Sequence, residues 1–200
     1  MNKQRRIIVY IAISADGYIA RSDGSVDWLN RPRPKGNYGM GEFLRSIDTI
    51  LWGRKTYDQA MAWTGGKGLG VGPRIKNYVF SHRPPTAPAR GVEFINEPVG
   101  TFARRLRAEK GKNIWMMGGG GLIASFLDAG EIDEFSIHVI PTFIGEGIPL
   151  IQPRHRLVRL KLRSVRRFPD GVVHLHYQVE RKAAKVRKGK HGGTDTQRRE

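Results

Sequence analysis

Residues 113–130, NIWMMGGGGLIASFLDAG, constrain this chain more than any other stretch. A short apolar strand, 114–117, runs into four consecutive glycines, Gly118, Gly119, Gly120 and Gly121. After them Leu122, Ile123, Phe126 and Leu127 recur at helical spacing. Glycine lacks a Cβ, so the backbone can turn sharply here and a ligand can come against the main chain. The start of the following helix offers free N–H groups and a positive dipole end, a natural seat for phosphate. The run is neither a G-x-x-x-x-G-K-[ST] loop nor a complete G-x-G-x-x-G, so alone it equally describes a tight strand-to-helix turn.

The same junction recurs. Residues 6–14 (RIIVYIAIS) form a near-continuous apolar run, as a central strand buried on both faces requires. It ends in Asp16-Gly17, a turn at the carboxyl end where open α/β sheets hold ligands; a simple turn aspartate is the competing reading. A strand at 49–52 leads into Gly53-Arg54-Lys55-Thr56-Tyr57 and a helix to about residue 62. Cations oppose the dipole of a helix start, so Arg54 and Lys55 fit better facing an external anion than serving as a solvated turn. A third strand, 75–80, ends in Ser81-His82-Arg83, again a hydroxyl and cations at a carboxyl end.

Other segments set the architecture. Residues 21–41 form a long polar loop, and loops of that length inside a domain are functional or disordered. Trp28, beside Asp27, either folds over a ligand or packs on the loop's own base. A short helix is expected over 42–47. Residues 63–73 read as a flexible glycine-rich connection. A strand at 92–96 and a helix at 99–110 lead to the glycine-run strand. A further strand spans 133–141, a loop 142–151, and two strands, 157–168 and 172–180, flank the turn Pro169-Asp170-Gly171. This order predicts an α/β fold of three layers, α/β/α, with a mostly parallel central sheet and a C-terminal antiparallel hairpin.

Composition narrows the function. Two hundred residues at 39% hydrophobic suit one domain, expected over 1–180. There is no cysteine, so disulfides, thiolate nucleophiles and zinc–sulfur sites are excluded, which fits a cytoplasmic protein. No apolar run is long enough to cross a bilayer and no signal-peptide pattern opens the chain. The net charge of +17 is partly local, since residues 181–200 hold eight Lys/Arg and two Asp/Glu and read as a basic disordered tail. A basic body attracts anions, nucleic acid among them. Against a nucleic-acid-binding function, the chain shows no recognition helix, RNP-type aromatic motif or zinc finger. His174 and His176 share a strand face and His138 lies in another strand, but no carboxylate pattern completes a metal site, and none is expected.

Several of these junctions, IAISADGYIA, GRKTY, VFSHR and MGGGGLIASFLDAG-EIDEFSIHVIP-TFIGEGIPLI, stand in an order and spacing that resembles the dihydrofolate reductase superfamily. The branch it looks most like is the reductase domain of bacterial riboflavin-biosynthesis deaminase-reductases. The resemblance covers residues 7–179. It implies a mostly parallel eight-stranded sheet, NADPH as cofactor and hydride donor, and a small heterocyclic or carbonyl/imine substrate, as in 5-amino-6-(5-phosphoribosylamino)uracil reductase. It puts Ala12 and Ile19 at the nicotinamide, Gly53, Arg54, Lys55 and Thr56 at the adenosine phosphate and pyrophosphate, and Ser81, His82 and Arg83 at the 2′-phosphate. Gly118 to Gly121, with Leu122 and Ile123, match the turn beneath the pyrophosphate, with Gly118-Gly119 as a cis peptide. Trp28 resembles the tryptophan of the loop over the active site. True dihydrofolate reductases carry a pterin-binding acid on the next helix; here that region is 38–43 with an altered loop length, which argues against dihydrofolate. Asp27, Trp28 and Glu42 are the candidate catalytic residues. The zinc-ligand pattern of the deaminase domain is absent. A homodimer and a non-catalytic module on the same fold stand as further expectations.

Overall fold

The computed structural model describes residues 4–32, 36–66, 72, 74–83, 85 and 89–180. The expected basic tail and most of the 63–73 glycine-rich connection therefore lie outside the described residues. Ten strands and four α-helices follow in order: β1 (Ile7–Ser14), β2 (Tyr18–Ala20), α1 (Met40–Ser46), β3 (Ile47–Gly53), α2 (Arg54–Trp63), β4 (Lys76–Phe80), β5 (Val92–Ile95), α3 (Val99–Ala108), β6 (Asn113–Gly118), α4 (Gly120–Asp128), β7 (Glu134–Ile140), β8 (Ile148–Pro149), β9 (Leu160–Arg167) and β10 (Val173–Val179).

Eight strands form one sheet in the order β5-β4-β3-β6-β1-β7-β10-β9. The first six run parallel, and β10 pairs antiparallel with both β7 and β9. The continuous apolar runs of β1, β3 and β6 follow from that position, because helices cover both faces. On one face Ile7, Val9, Leu51, Ile114 and Met116 pack against Phe102 and Leu106 of α3 and Ile123 and Phe126 of α4. On the other, Tyr10, Ile50, Trp52 and Trp115 pack against Tyr57 of α2 and Met40, Phe43 and Leu44 of α1. The period-two alternation along each strand sorts these side chains into two apolar layers.

Several bounds differ from the expected ones by a few residues, and two departures have identifiable reasons. α1 gives Ile47 to β3, where this β-branched side chain is buried opposite Asn113 of β6. Within the expected loop 142–151, β8 pairs antiparallel with β2 as a two-stranded ribbon. Strands of two and three residues carry no period for a sequence to display.

At the amino ends of the parallel strands two buried arginines form an ion network. Arg5, 3% exposed, bonds to Asp48, to Thr49 Oγ1 at 2.6 Å and to the Lys112 carbonyl oxygen at 2.8 Å. Arg107, 9% exposed, meets Asp133 at 2.7 Å, Glu131 at 3.3 Å and the Arg5 carbonyl oxygen at 2.7 Å. Buried charges persist only with such partners. Among the described residues no helix is long and apolar enough to cross a membrane.

Candidate active site

At the opposite, carboxyl end of the sheet, β3 and β6 each end in glycine and turn directly into a helix. A Cβ on Gly53 would lie 3.2 Å from both the Gly118 carbonyl oxygen and the Gly119 nitrogen, so the two junctions touch through glycine backbone. Gly118 has φ +111°, which favours glycine, and the Gly118-Gly119 peptide is cis. Neither α2 nor α4 has a side-chain cap, and neither carries an acid in its first turn. Two helix starts with positive dipole ends and no side-chain caps thus lie against each other. A Cβ on Gly119 would meet Thr56 Oγ1 at 3.1 Å and Ile19 Cδ1 at 3.8 Å. The candidate groove is the space over Gly119 between the Thr56 hydroxyl and the Ile19 side chain.

The remaining residues of the run stand behind this groove. Ile123 is fully buried in the core, 3.5 Å from where a Gly118 Cβ would be, and supports the turn from below. Gly120 is buried against residues 149–152; a Cβ there would run into the Pro149 carbonyl oxygen, and its own carbonyl accepts from Gln152 N at 3.2 Å. Gly121 is exposed beside Gln152 Oε1, and Leu122 packs partly buried on the core. Ala12 is half-buried at the edge of a small cluster containing Trp28, Ile140 and Val172.

Arg54 and the loop after β4 are joined. Arg54 Nη1 donates to the Arg83 carbonyl oxygen at 2.7 Å, and its Nε lies 2.8 Å from both carboxylate oxygens of Asp58. Arg83 N donates to Ser81 Oγ at 3.1 Å, and His82 Nδ1 donates to Asn96 Oδ1 at 2.8 Å. Lys55, His82 and Arg83 are exposed. Asp58 and Asn96 were not singled out from the sequence. The four-residue spacing of Arg54 and Asp58 on one helix is a signal that could have found the first; nothing local marks Asn96.

The three candidate catalytic residues do not come together. Asp27 is exposed and bonds to Arg21 at 2.6 and 3.0 Å; the guanidinium holds its carboxyl below the usual range, so it stays ionised rather than donating a proton. Trp28, 7% exposed, packs on Ile140 at the end of β7 and Val172 between β9 and β10; its indole N–H has no acceptor among the described residues. Glu42 is exposed in the first turn of α1.

Sequence reading missed a polar cluster that pins this loop. Tyr38, at φ +54°, receives on its carbonyl oxygen bonds from Tyr10 Oη and His138 Nε2, both at 3.1 Å. Its hydroxyl donates to Asp170 Oδ2 at 2.5 Å, and Arg31 Nη2 donates to the Asp170 carbonyl oxygen at 2.7 Å. His138 stacks on His174 with centroids 4.4 Å apart, and burial pushes both imidazoles down, His174 to about 4. Two histidines on adjacent strands thus remain neutral stacking partners. Among the described residues no group of three His, Cys, Asp or Glu is arranged to hold a metal.

Comparison with known proteins agrees with this geometry. The model of the RibD C-terminal domain matches residues 101–174, which include β6, the glycine run and β7. The uncharacterized protein YwjB of Bacillus subtilis is 39% identical over 176 residues, covering 87% of this chain and 98% of its own. The chain belongs to the RibD C-terminal domain family. A protein of Shewanella sp. PV-4 assigned to riboflavin biosynthesis has a similar structure, with TM-score 0.78, 25% identity, and coverage of 88% of this chain and 99% of that one. Dihydrofolate reductase of Enterococcus faecalis, in complex with NADP(H), shares the fold at TM-score 0.62 and 14% identity over 90% of this chain and all of its own. The dihydrofolate-reductase-like architecture expected of this RibD-type chain is thus the one it has.

Proposed function

We propose that the protein is an NADPH-dependent reductase that delivers hydride to a C=N or C=O carbon of a small heterocyclic substrate, of the 5-amino-6-(5-phosphoribosylamino)uracil type. The observation that carries this is the meeting of two uncapped helix starts at a glycine-floored groove, with Thr56 Oγ1 at its wall. A pyrophosphate suits such a place: helix starts without side-chain caps favour negative charge through their dipoles, and Thr56 offers a hydroxyl donor. Lys55, Arg54 and Arg83 supply cations where a 2′-phosphate would extend, and Ile19 and Ala12 supply an apolar edge for a nicotinamide ring. When bound, NADPH supplies the hydride; the protein's residues orient the ring and exclude water from its face. Asp27, kept ionised by Arg21, takes no part as proton donor in this reading.

The test is titration with NADPH and NADH, then cofactor oxidation followed with a panel of pyrimidine, pterin and simple carbonyl acceptors. Tighter NADPH binding and turnover with a ribosylaminopyrimidine are the expected result. A folded protein that binds neither nucleotide overturns the reading, and binding without turnover on any acceptor reduces it to a non-catalytic module.

A further inference from the structure

Asp16 takes no part in the groove, yet its carboxylate joins two segments that reach it. One oxygen, Oδ1, accepts from Ser14 Oγ at 2.5 Å, and Ser14, fully buried, also receives the Tyr18 N–H on that same oxygen at 3.0 Å. The other, Oδ2, accepts the backbone N–H groups of Gly145 at 2.8 Å and Ile144 at 3.1 Å. One side chain therefore ties the β1–β2 turn to the loop between β7 and β8. Charge-assisted bonds of this kind are short and directional. The ties continue beyond it: Ala15 N donates to the Thr142 carbonyl oxygen at 2.8 Å, Leu150 N donates to that of Gly17 at 3.1 Å, and β2 pairs with β8. Ile19, the residue that walls the groove above Gly119, sits in the middle of β2.

We infer that Asp16 is a positioning residue: by clamping the β1–β2 turn onto residues 144–145 it sets Ile19 against Gly119 and so fixes the nicotinamide end of the groove. This rests on the reductase reading for its catalytic consequence, but the clamp itself is a property of the protein alone. β2 is three residues long and its ribbon has only two strands, too little to hold a position unaided. Removing the carboxylate leaves the adenosine end untouched, because Arg54, Thr56 and the Ser81–Arg83 loop are carried by β3, α2 and β4. The effect should therefore divide the cofactor. A displacement of about 1 Å at the reacting ring lowers the rate by roughly a hundredfold, whereas contacts to the phosphates persist.

The experiment compares wild type, Asp16→Ala, Asp16→Asn and a control, Asp23→Ala, whose carboxylate, among the described residues, bonds within its own turn, to Ser25 N at 2.8 Å. Without cofactor, the NOE between the Ile19 δ1 methyl and the Gly119 Hα protons reports the clamp. It should be present in wild type and in Asp23→Ala, lost in Asp16→Ala, and weakened in Asp16→Asn, which keeps one acceptor oxygen. With NADPH, Asp16→Ala should lose nicotinamide-proton shifts and fall about tenfold or more in kcat, while adenine-proton and 2′-phosphate shifts and Kd change less than about threefold. An intact Ile19–Gly119 NOE in a folded Asp16→Ala overturns the inference. So does a parallel loss of both ends of the cofactor together with melting temperature, which is what a merely structural aspartate predicts. Wild type that binds no NADPH fails the reductase reading and with it the catalytic role, while the NOE still decides the clamp.

Discussion

Arg54 Nη1 holds the main-chain carbonyl oxygen of Arg83 at 2.7 Å, so the first residue of α2 grips the loop that leaves β4. The same guanidinium is bound by Asp58. Arg54 is thus an anchor for the basic loop as well as a cation in its own right. Arg54→Ala should weaken NADPH by about tenfold or more, and NADH by less, since a hydrogen bond to a charged group contributes about 1.5–3 kcal/mol. Arg83→Ala should act in the same direction. The double variant should fall short of the sum, because residues sharing a contact couple. Calorimetric titration of the three variants with both nucleotides checks this, and strict additivity would count against the anchor.

Gly119 and Gly120 are adjacent yet predict opposite phenotypes. Alanine at Gly119 places a methyl 3.1 Å from Thr56 Oγ1, inside the groove and on no core atom. That variant should keep most of its melting temperature and lose NADPH affinity. Alanine at Gly120 drives a methyl into the Pro149 backbone, which has no flexible end to move aside. This overpacking should cost about 1–3 kcal/mol of stability before any effect on binding. Apo melting temperature and NADPH affinity measured on each preparation separate the two.

His174 gives a pH dependence of defined sign. In the folded protein its imidazole is pushed down from 6.5 to about 4, first by burial and then by His138, His176 and Arg166 nearby. Between those values the unfolded chain binds a proton that the folded one does not. Stability therefore rises with pH across that window and is lost as pH falls from about 6.5 toward about 4. His138, shifted the same way by burial, adds to the slope. Melting temperature against pH should be flatter in His174→Gln than in wild type.

Trp28 should behave as a packing residue. Its ring is buried on Ile140 and Val172, and its N–H bonds to no acceptor among the described residues. Trp28→Phe should therefore cost less than about 1.5 kcal/mol, whereas Trp28→Ala should cost about 3–5 kcal/mol. Urea denaturation of both variants decides. A large loss in Trp28→Phe would mean that the indole nitrogen carries a bond of its own.

What was legible in the chain were features written in consecutive residues. The apolar runs of β1, β3 and β6, the glycines of the β6–α4 junction and the GRKTY helix start each display a period or a turn residue, and each lies where it was expected. The parts that were not legible depend on residues distant in sequence. Tyr38 in a left-handed conformation carries no glycine-like mark, and its partners Tyr10, His138 and Asp170 come from three other segments. The need for glycine at 120 arises from Pro149, which reaches it only because β8 pairs with β2. Asp27 looked like an acid over the site until the turn aimed it at Arg21.

The Arg5–Arg107 network has a consequence for how such a chain can diversify. It fastens the amino ends of the strands and the helix α3 with charges that are all spoken for on the side remote from the groove. Residues that would choose a substrate hang from the carboxyl ends and their loops, where a substitution disturbs none of those pairs. A lineage of such proteins is therefore free to change what those loops bind, with its foundation left standing.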